Sequence, residues 1–138
     1  MKKIAIIIAV TVSIAVAVWL LLPDNSSTKN STAAPSTTGQ QSNAAQTAVV
    51  AAKNGTAYLY DVRTPEEFAQ KHVDGATNFN IEDMQSGTLP SVAKDSQIYV
   101  YCRSGNRSNQ AKELLESNGF SNITDLGGLT DLEQAGVL

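Results

Sequence analysis

The sequence predicts an α/β domain built on a parallel sheet that is covered by helices on both faces. Four short apolar segments alternate with helix-like stretches, and they are Ala57 to Val62, Ala76 to Ile81, Ile98 to Cys102 and Ile123 to Leu126. Apolar runs of this length are typical of strands that are buried on both sides. The chain has 138 residues, which is enough for one compact domain of about 150 residues and not for two.

Local signals mark the ends of the predicted helices. Thr64-Pro65-Glu66-Glu67 supplies an N-cap, a proline at the first helical position and a capping-box glutamate. Gly119 ends a second helix, whose inward-facing residues recur at spacings of three and four, namely Ala111, Leu114 and Leu115. Asn54-Gly55 ends a first helix over roughly residues 49–53, before the first strand.

The N-terminal segment is apolar and long enough to cross a membrane. Lys2 and Lys3 precede 19 uncharged residues, Ile4 to Leu22, which end at Pro23. As a helix this stretch spans roughly 28 Å, close to the hydrocarbon thickness of a bilayer. We expect residues 1–23 to anchor the protein in the cell membrane as a single pass, with the lysines inside and the domain extracytoplasmic. Protection of that domain from protease until the inner membrane is broken would contradict this orientation.

A cleaved signal sequence is the alternative for the same segment. Ala15-Val16-Ala17 matches a small-x-small cleavage site, although more membrane-compatible sequence follows it. Cleavage would make the protein secreted or periplasmic. No cysteine follows the apolar run, so a lipoprotein anchor is excluded. Residues 24–48 are rich in Ser, Thr, Asn, Gln and Ala, and we expect a flexible, disordered linker there, with the folded domain over residues 49–138.

Composition and charge exclude several functional classes. The net charge is -3, and the predicted domain carries seven basic against twelve acidic residues, whereas binding to nucleic acid needs a basic face. We therefore expect no nucleic-acid partner. With 1 Cys and 1 His, the chain can form no internal disulfide, and a zinc site built from Cys and His ligands is not expected. No metal is predicted, and any cysteine chemistry belongs to Cys102.

Cys102 occupies a position that favours reactivity. It follows the third predicted strand and enters a polar, Gly-containing turn that opens a helix, and ligands of open α/β folds bind at the carboxyl ends of strands. Backbone N–H groups and the positive end of the helix dipole both favour the thiolate there. Arg103 and Arg107 add positive charge. The sequence thus predicts a reactive, largely anionic cysteine that needs no separate base.

The alternative is a structural cysteine, since most free cysteines are small buried hydrophobic residues. Two arginines, a glycine and a helix within the next few residues favour the reactive role. A thiol protease would need a paired histidine. His72, the single histidine, lies at the end of a predicted helix before Val73-Asp74-Gly75, and we expect it to be structural.

Four ordered segments resemble the signatures of the single-domain rhodanese family, and they are Asp61 to Phe68, His72 to Asn78, Cys102 to Ser108 and Gly127 to Leu129. The resemblance covers essentially all of residues 49–138. It implies the rhodanese-like fold, a parallel sheet flanked by helices. Two departures are Asp74, where the family usually has proline, and Thr130-Asp131, where an aromatic residue often follows the Gly-Gly-Leu motif. Neither departure removes a catalytic group.

The resemblance implies a thiosulfate sulfurtransferase. Cys102 would take the outer sulfur of thiosulfate or a similar donor, hold it as a persulfide and pass it to cyanide or a thiol, without any cofactor. The remaining loop residues would bind the donor, and they are Arg103, Ser104, Gly105, Asn106 and Arg107. Asp61 and Arg63 would form a buried ion pair that braces the loop, with direct substrate contact as the alternative.

The size of the loop separates related activities. Six residues run from Cys102 to Arg107, as in the sulfurtransferases, whereas the related phosphatases and arsenate reductases have one residue more. A shorter ring of N–H donors encloses a single sulfur atom, and a longer one admits a tetrahedral oxyanion. A non-catalytic binding or sulfide-sensing module remains an alternative. An exposed lone thiolate in an oxidising compartment is open to oxidation, so we also expect a thiol-reducing protein partner.

Overall fold

The structure is a computed structural model that describes residues 37–138. The described part contains five helices and four strands in the order α1 (Thr37–Lys53), β1 (Tyr58–Asp61), α2 (Pro65–Gln70), β2 (Thr77–Asn78), α3 (Ile81–Gln85), β3 (Ile98–Tyr101), α4 (Asn106–Ser117), β4 (Ile123–Asp125) and α5 (Leu129–Gln134). Each of the four predicted strands is present, and a helix separates each strand from the next, so the predicted α/β class is confirmed.

The four strands form one parallel sheet in the order β2-β1-β3-β4. Asp61 at the end of β1 is in register with Tyr101 at the end of β3 and with Asn78 at the end of β2. Because all four strands run the same way, their carboxyl ends meet at one edge of the sheet. The residues that follow β1 and β3, including Cys102, are therefore neighbours.

Helices cover both faces of the sheet, and alternate residues of each strand pack into separate cores. On one face Tyr60 and Val100 pack with residues of α3 and α4, including Ile81, Met84, Ala111 and Leu115. On the other face Leu59 and Tyr101 pack with residues of α1 and α5, including Ala45, Ala48 and Leu132. Cys102 belongs to the first core. The sheet thus places Cys102 between the hydrophobic interior and the edge where the strands end.

The helix boundaries predicted from local signals are confirmed. Thr64 Oγ1 accepts a hydrogen bond from Glu67 N at 3.3 Å, and the Glu67 carboxylate accepts one from Thr64 N at 3.2 Å, which completes the capping box at the start of α2. Gly55 and Gly119 follow α1 and α4 in the left-handed region, with φ of 69° and 88°. Glycine adopts that conformation without a steric penalty from Cβ, and both helices end there.

Helix α1 begins at Thr37, whereas a linker up to residue 48 and a helix over 49–53 were predicted. The prediction of a flexible linker is thus wrong for residues 37–48. Ala45 and Ala48 are buried against the sheet, while Gln41 Nε2 donates to Leu126 O at 3.1 Å and Gln46 Nε2 to Ala135 O at 3.2 Å. The helix was missed because its contacts use alanine and glutamine, which produce no strong hydrophobic period.

The predicted membrane segment, residues 1–23, and the linker up to residue 36 lie outside the described residues. Of the helices between residues 37 and 138, none is both long and apolar enough to cross a bilayer. The anchor, its cleavage and the extracytoplasmic location of the domain stay predictions from the sequence.

Candidate active site

Cys102 is the first residue after β3, and the backbone on both sides of it is held by hydrogen bonds. Cys102 N donates to Gly127 O at 3.1 Å. Cys102 Sγ accepts a hydrogen bond from Gly105 N at 3.1 Å, which requires the chain to turn back sharply over residues 103–105. Gly105 makes this turn with φ of 88°, a value that favours glycine. The sulfur therefore faces a backbone N–H that stabilises negative charge on it.

Helix α4 begins directly after this turn, and no side chain caps its N-terminus. The first N–H groups of a helix have no partner within the helix, and the helix dipole places partial positive charge at that end. Helix α4 has 12 residues. Both features favour an anion at the start of α4, as the sequence predicted for the surroundings of Cys102.

The segment 127–129 supports the loop from the side. Leu129 N donates to Arg103 O at 3.1 Å, and the buried Ser108 hydroxyl donates to Gly105 O at 3.0 Å. A Cβ at Gly128 would lie 2.9 Å from Arg103 O and 3.0 Å from the Cα of Ser104, closer than nonbonded atoms pack. The Gly-Gly-Leu segment thus lets two backbones approach closely, which holds the loop in one shape.

The side chain of Cys102 is fully buried, with 0% of the residue exposed. The sequence analysis expected the sulfur of Cys102 to be exposed, and this expectation is wrong. Cys102 directly follows a buried strand and packs in the same core as Val62, Val100 and Ala111, so residues of the sheet and of α4 cover it. A substrate can reach the sulfur only when the loop or a covering side chain moves.

Arg107 is paired with a carboxylate. Its Nη1 donates to Glu67 Oε2 at 2.7 Å and its Nη2 to Glu67 Oε1 at 2.9 Å, which makes a two-bond contact between α4 and α2. The hydrogen bonds from Arg107 lower the pKa of Glu67 to about 2, and Glu67 in turn raises the pKa of Arg107. Both groups are therefore charged at neutral pH. Arg107 was predicted as a substrate-binding residue that adds positive charge beside Cys102, and in the structure this charge is paired with that of Glu67.

Arg103 is exposed and, between residues 37 and 138, makes no side-chain hydrogen bond or ion pair. It lines a cleft of about 370 Å³ together with Arg63, Glu67, Gln70, Lys71 and Leu129. The cleft thus borders the residue next to Cys102 and lies between α2 and the start of α5. An anion in this cleft would meet the Arg103 guanidinium, so the predicted substrate-binding role suits the position of this residue.

Asp61 and Arg63 form a buried ion pair, with Arg63 Nη2 2.5 Å from Asp61 Oδ2. The Arg63 side chain is 4% exposed and the Asp61 side chain is 0% exposed. Arg63 Nη2 also donates to Lys71 O at 2.6 Å, and Asn78 Nδ2 donates to the carbonyl oxygens of Asp61 and Arg63. The hydrogen bond to Asp61 raises the pKa of Arg63 above its usual range. These contacts join the ends of β1 and β2 to α2, which is the structural role predicted for the pair.

The other residues singled out in the sequence lie at the edge of the site. Ser104 is exposed and pairs through its backbone with Gly128, and Asn106 Oδ1 accepts a hydrogen bond from Gln110 Nε2 at 2.6 Å. His72 Nδ1 lies 2.9 Å from Phe68 O, and its ring stacks on that of Phe68, as expected for a structural histidine. Between residues 37 and 138 there is no group of three or more His, Cys, Asp or Glu side chains that could hold a metal ion.

Residues 37–135 match the family model described as Rhodanese-like domain. The chain belongs to the rhodanese-like domain family. The matched residues coincide with the described fold from α1 to the end of α5, so the rhodanese-like domain begins before residue 49, where the sequence analysis placed its start. The resemblance predicted from four motifs is thereby confirmed for the domain.

Relatives of this rhodanese-like domain include sulfurtransferases. Thiosulfate sulfurtransferase PspE of Escherichia coli is 38% identical over 73 residues, which are 52% of this chain and 70% of PspE. The rhodanese-like domain of the Alr3790 protein from Anabaena is 32% identical with a TM-score of 0.54, and the match covers 59% of this chain and 95% of that domain. The human single-domain sulfurtransferase TSTD1 is 25% identical with a TM-score of 0.50, over 57% of this chain and 81% of TSTD1.

The contribution of Glu67 to the rhodanese-like site was missed by the sequence reasoning. The capping-box pattern identified Glu67 as a helix cap only, and it lies 40 residues before Arg107 along the chain. The capping box and the contact with Arg107 use the same carboxylate, since Glu67 Oε2 accepts from both Thr64 N and Arg107 Nη1. No sequence signal of fixed spacing connects the two residues.

Proposed function

We propose that the protein is a sulfurtransferase in which Cys102 accepts a sulfur atom from thiosulfate or a similar donor and passes it to cyanide or a thiol. The observation that carries the proposal is the hydrogen bond from Gly105 N to Cys102 Sγ at the junction of β3 and α4. This geometry favours a thiolate at the site, and the family relationship with sulfurtransferases supports the same chemistry.

In the first step the Cys102 thiolate attacks the outer sulfur of thiosulfate. A new S–S bond forms to Cys102, the S–S bond of thiosulfate breaks, and sulfite leaves with the bonding electron pair and takes up one proton from solvent. The product on the protein is a persulfide anion. Covalent transfer of this kind divides one reaction into two easier ones.

In the second step cyanide or a thiolate attacks the outer sulfur of the persulfide. With cyanide, a carbon–sulfur bond forms, the Cys102–sulfur bond breaks and thiocyanate leaves, while the electron pair returns to Cys102 as the thiolate. Charge and electrons balance in both steps without a cofactor. The chain's own contribution is to hold the sulfur and to stabilise its negative charge.

Backbone N–H groups supply most of that stabilisation. Gly105 N already points at Sγ, and the first N–H groups of α4, which no side chain caps, follow directly after it along the chain. Dipoles that are fixed in place before the reaction stabilise a developing anion without reorganisation. Arg103, which is exposed beside Cys102, attracts the anionic donor. Since Cys102 is buried, entry of the donor requires a local opening of the loop.

The same burial favours one second candidate, a rhodanese-like module that binds a partner or senses sulfide without turnover. A cysteine that is 0% exposed is shielded from substrates for as long as the loop stays closed. The two candidates differ in whether sulfur is loaded onto Cys102 and then released.

Sulfur loading tests the proposal directly. The reduced full chain is incubated with thiosulfate, and its intact mass is expected to increase by one sulfur atom, which cyanide then removes as thiocyanate. Cys102→Ser is the matched variant, because serine is nearly isosteric and has no stable anion near neutral pH. The variant is expected to lose both steps and to keep its circular dichroism spectrum. Thiocyanate production at the wild-type rate by this variant would contradict the proposal.

Two other results separate the alternatives. A sulfur adduct that forms and is never released to cyanide or to any thiol would favour the sensing module. Hydrolysis of a phosphate ester with no sulfur adduct at any time would instead favour a phosphatase activity, as in the related proteins whose loop is one residue longer.

A further inference from the structure

The charges around the cleft beside Cys102 nearly cancel. Four charged residues line it, namely Arg63, Glu67, Lys71 and Arg103. Three of the four are held in ion pairs, Arg63 with Asp61, Lys71 with Glu133 and Glu67 with Arg107. The remaining positive charge belongs to Arg103. The cleft as lined by these residues therefore carries one uncompensated positive charge, although the loop itself contains two arginines.

Glu67 is held firmly in the position where it cancels Arg107. Its carboxylate accepts two hydrogen bonds from Arg107 at 2.7 and 2.9 Å and a third from Thr64 N at 3.2 Å. The contact to Thr64 fixes Glu67 at the start of α2, so the carboxylate cannot follow Arg107 freely if the loop opens. Arg107 keeps its remaining N–H groups for other acceptors, since a guanidinium has five donors.

We propose that Glu67 is a specificity-determining positioning residue, which cancels the charge of Arg107 and so matches the site to sulfur donors with one negative charge. Persulfide and thiosulfonate anions belong to this class, whereas thiosulfate carries two charges. The inference rests on the proposed function, because it concerns the donor of that same reaction. Glu67 acts through Arg107 and touches no reacting atom.

The reaction with a thiosulfonate balances in the same way as that with thiosulfate. The Cys102 thiolate attacks the outer sulfur of the thiosulfonate anion, its S–S bond breaks, and a sulfinate anion leaves with the electron pair. The products are the persulfide anion and the sulfinate, so two negative charges are present before and after the step. Thiosulfate and methanethiosulfonate thus form a matched pair of donors that differ by one charge.

Glu67→Gln removes the negative charge and keeps the shape of the side chain, which can still accept a hydrogen bond from Arg107. Because the gain in attraction grows with the charge of the donor, we expect kcat/KM to rise by roughly tenfold for thiosulfate and by roughly threefold for methanethiosulfonate at low salt. The change is expected as a fall in KM, with kcat unchanged. It is expected to shrink at high ionic strength, where charges are screened.

Three further variants separate charge from structure. Glu66→Gln is the matched control, since Glu66 is the exposed neighbour on α2 and makes no contact with Arg107. This variant is expected to keep the wild-type ratio of kcat/KM for thiosulfate to kcat/KM for methanethiosulfonate. Glu67→Asp keeps the charge and is expected to stay near that ratio. The double variant Glu67→Gln/Arg107→Gln removes both charges of the pair, and its ratio of the two kcat/KM values is expected to return to that of the wild type.

A second readout does not require sulfur transfer. Cys102 is alkylated with iodoacetate, which is anionic, and with iodoacetamide, which is neutral, and the ratio of the two rates is compared between variants. Glu67→Gln is expected to raise this ratio several-fold at low salt, and Glu66→Gln to leave it unchanged. An unchanged ratio in a correctly folded Glu67→Gln would overturn the inference even if sulfur transfer is confirmed. A raised ratio without any sulfur adduct would support the charge role of Glu67 and contradict the proposed function alone.

Discussion

The ion pair between Arg107 and Glu67 predicts a pH-dependent contribution to stability. Glu67 has an ordinary pKa of 4.5, and Arg107 lowers it to about 2 in the folded protein. At about 1.36 kcal/mol for each pH unit, this difference sets an upper limit of about 3.4 kcal/mol. The two side chains are 29% and 27% exposed, and screening by solvent reduces the expected contribution to about 1–2 kcal/mol.

Removal of Arg107 is expected to abolish this contribution. The folded-state pKa of Glu67 is lower than the unfolded one, so the stabilisation is fully present above about pH 5 and is lost as the pH falls towards about 2. We therefore expect Arg107→Gln to lower the free energy of unfolding by about 1–2 kcal/mol at pH 7. The difference from the wild type is expected to shrink steadily below about pH 5.

Urea unfolding of the full chain at several pH values between 7 and 3 measures this difference. Lys112→Gln is the matched control on the same helix, because Lys112 pairs with Glu116 at 3.7 Å on the surface of α4. Such a pair contributes only about 0.3–0.5 kcal/mol. If the difference between wild type and Arg107→Gln is as large at pH 3 as at pH 7, the ion pair is not its cause.

Two further substitutions test the support of the loop. Arg63→Met leaves Asp61 buried without its partner, and we expect a loss of about 3–5 kcal/mol in the free energy of unfolding. Partial recovery of stability in the double variant Asp61→Asn/Arg63→Met would identify the uncompensated charge as the cause. No recovery in the double variant would contradict this explanation. Gly128→Ala places a Cβ 2.9 Å from Arg103 O, and we expect a loss of about 1–3 kcal/mol together with slower sulfur loading. Since Gly128 has extended backbone with φ of -102°, wild-type stability in this variant would show that the contact is relieved without cost.

Much of the fold follows from local signals in the sequence. The strands of the sheet are short apolar runs whose length matches a parallel sheet covered on both faces. The capping box at Thr64 begins α2, and the glycines after α1 and α4 end those helices, as predicted. Cys102 was placed at the end of β3 for the same reason. These features depend on interactions within a few residues, so the sequence is sufficient to predict them.

Helix α1 shows where local reasoning fails. Its packing residues include Ala45 and Ala48, and its side-chain hydrogen bonds reach Leu126 O and Ala135 O, which lie 85 and 89 residues away along the chain. Small residues bury little apolar area, so their position on one face gives a weak periodic signal. The stability of α1 comes from tertiary contacts and not from its own composition.

The sequence alone determined which residue is the nucleophile candidate, the type of loop that follows it and the family to which the domain belongs. Only the tertiary structure decided that Cys102 is buried and that Arg107 is neutralised by Glu67. Burial depends on which elements close over a side chain, and an ion pair between residues 40 positions apart depends on how two helices meet at the edge of the sheet. The charge of the donor site is therefore a property of the folded chain, because it is the sum of groups that only folding brings together.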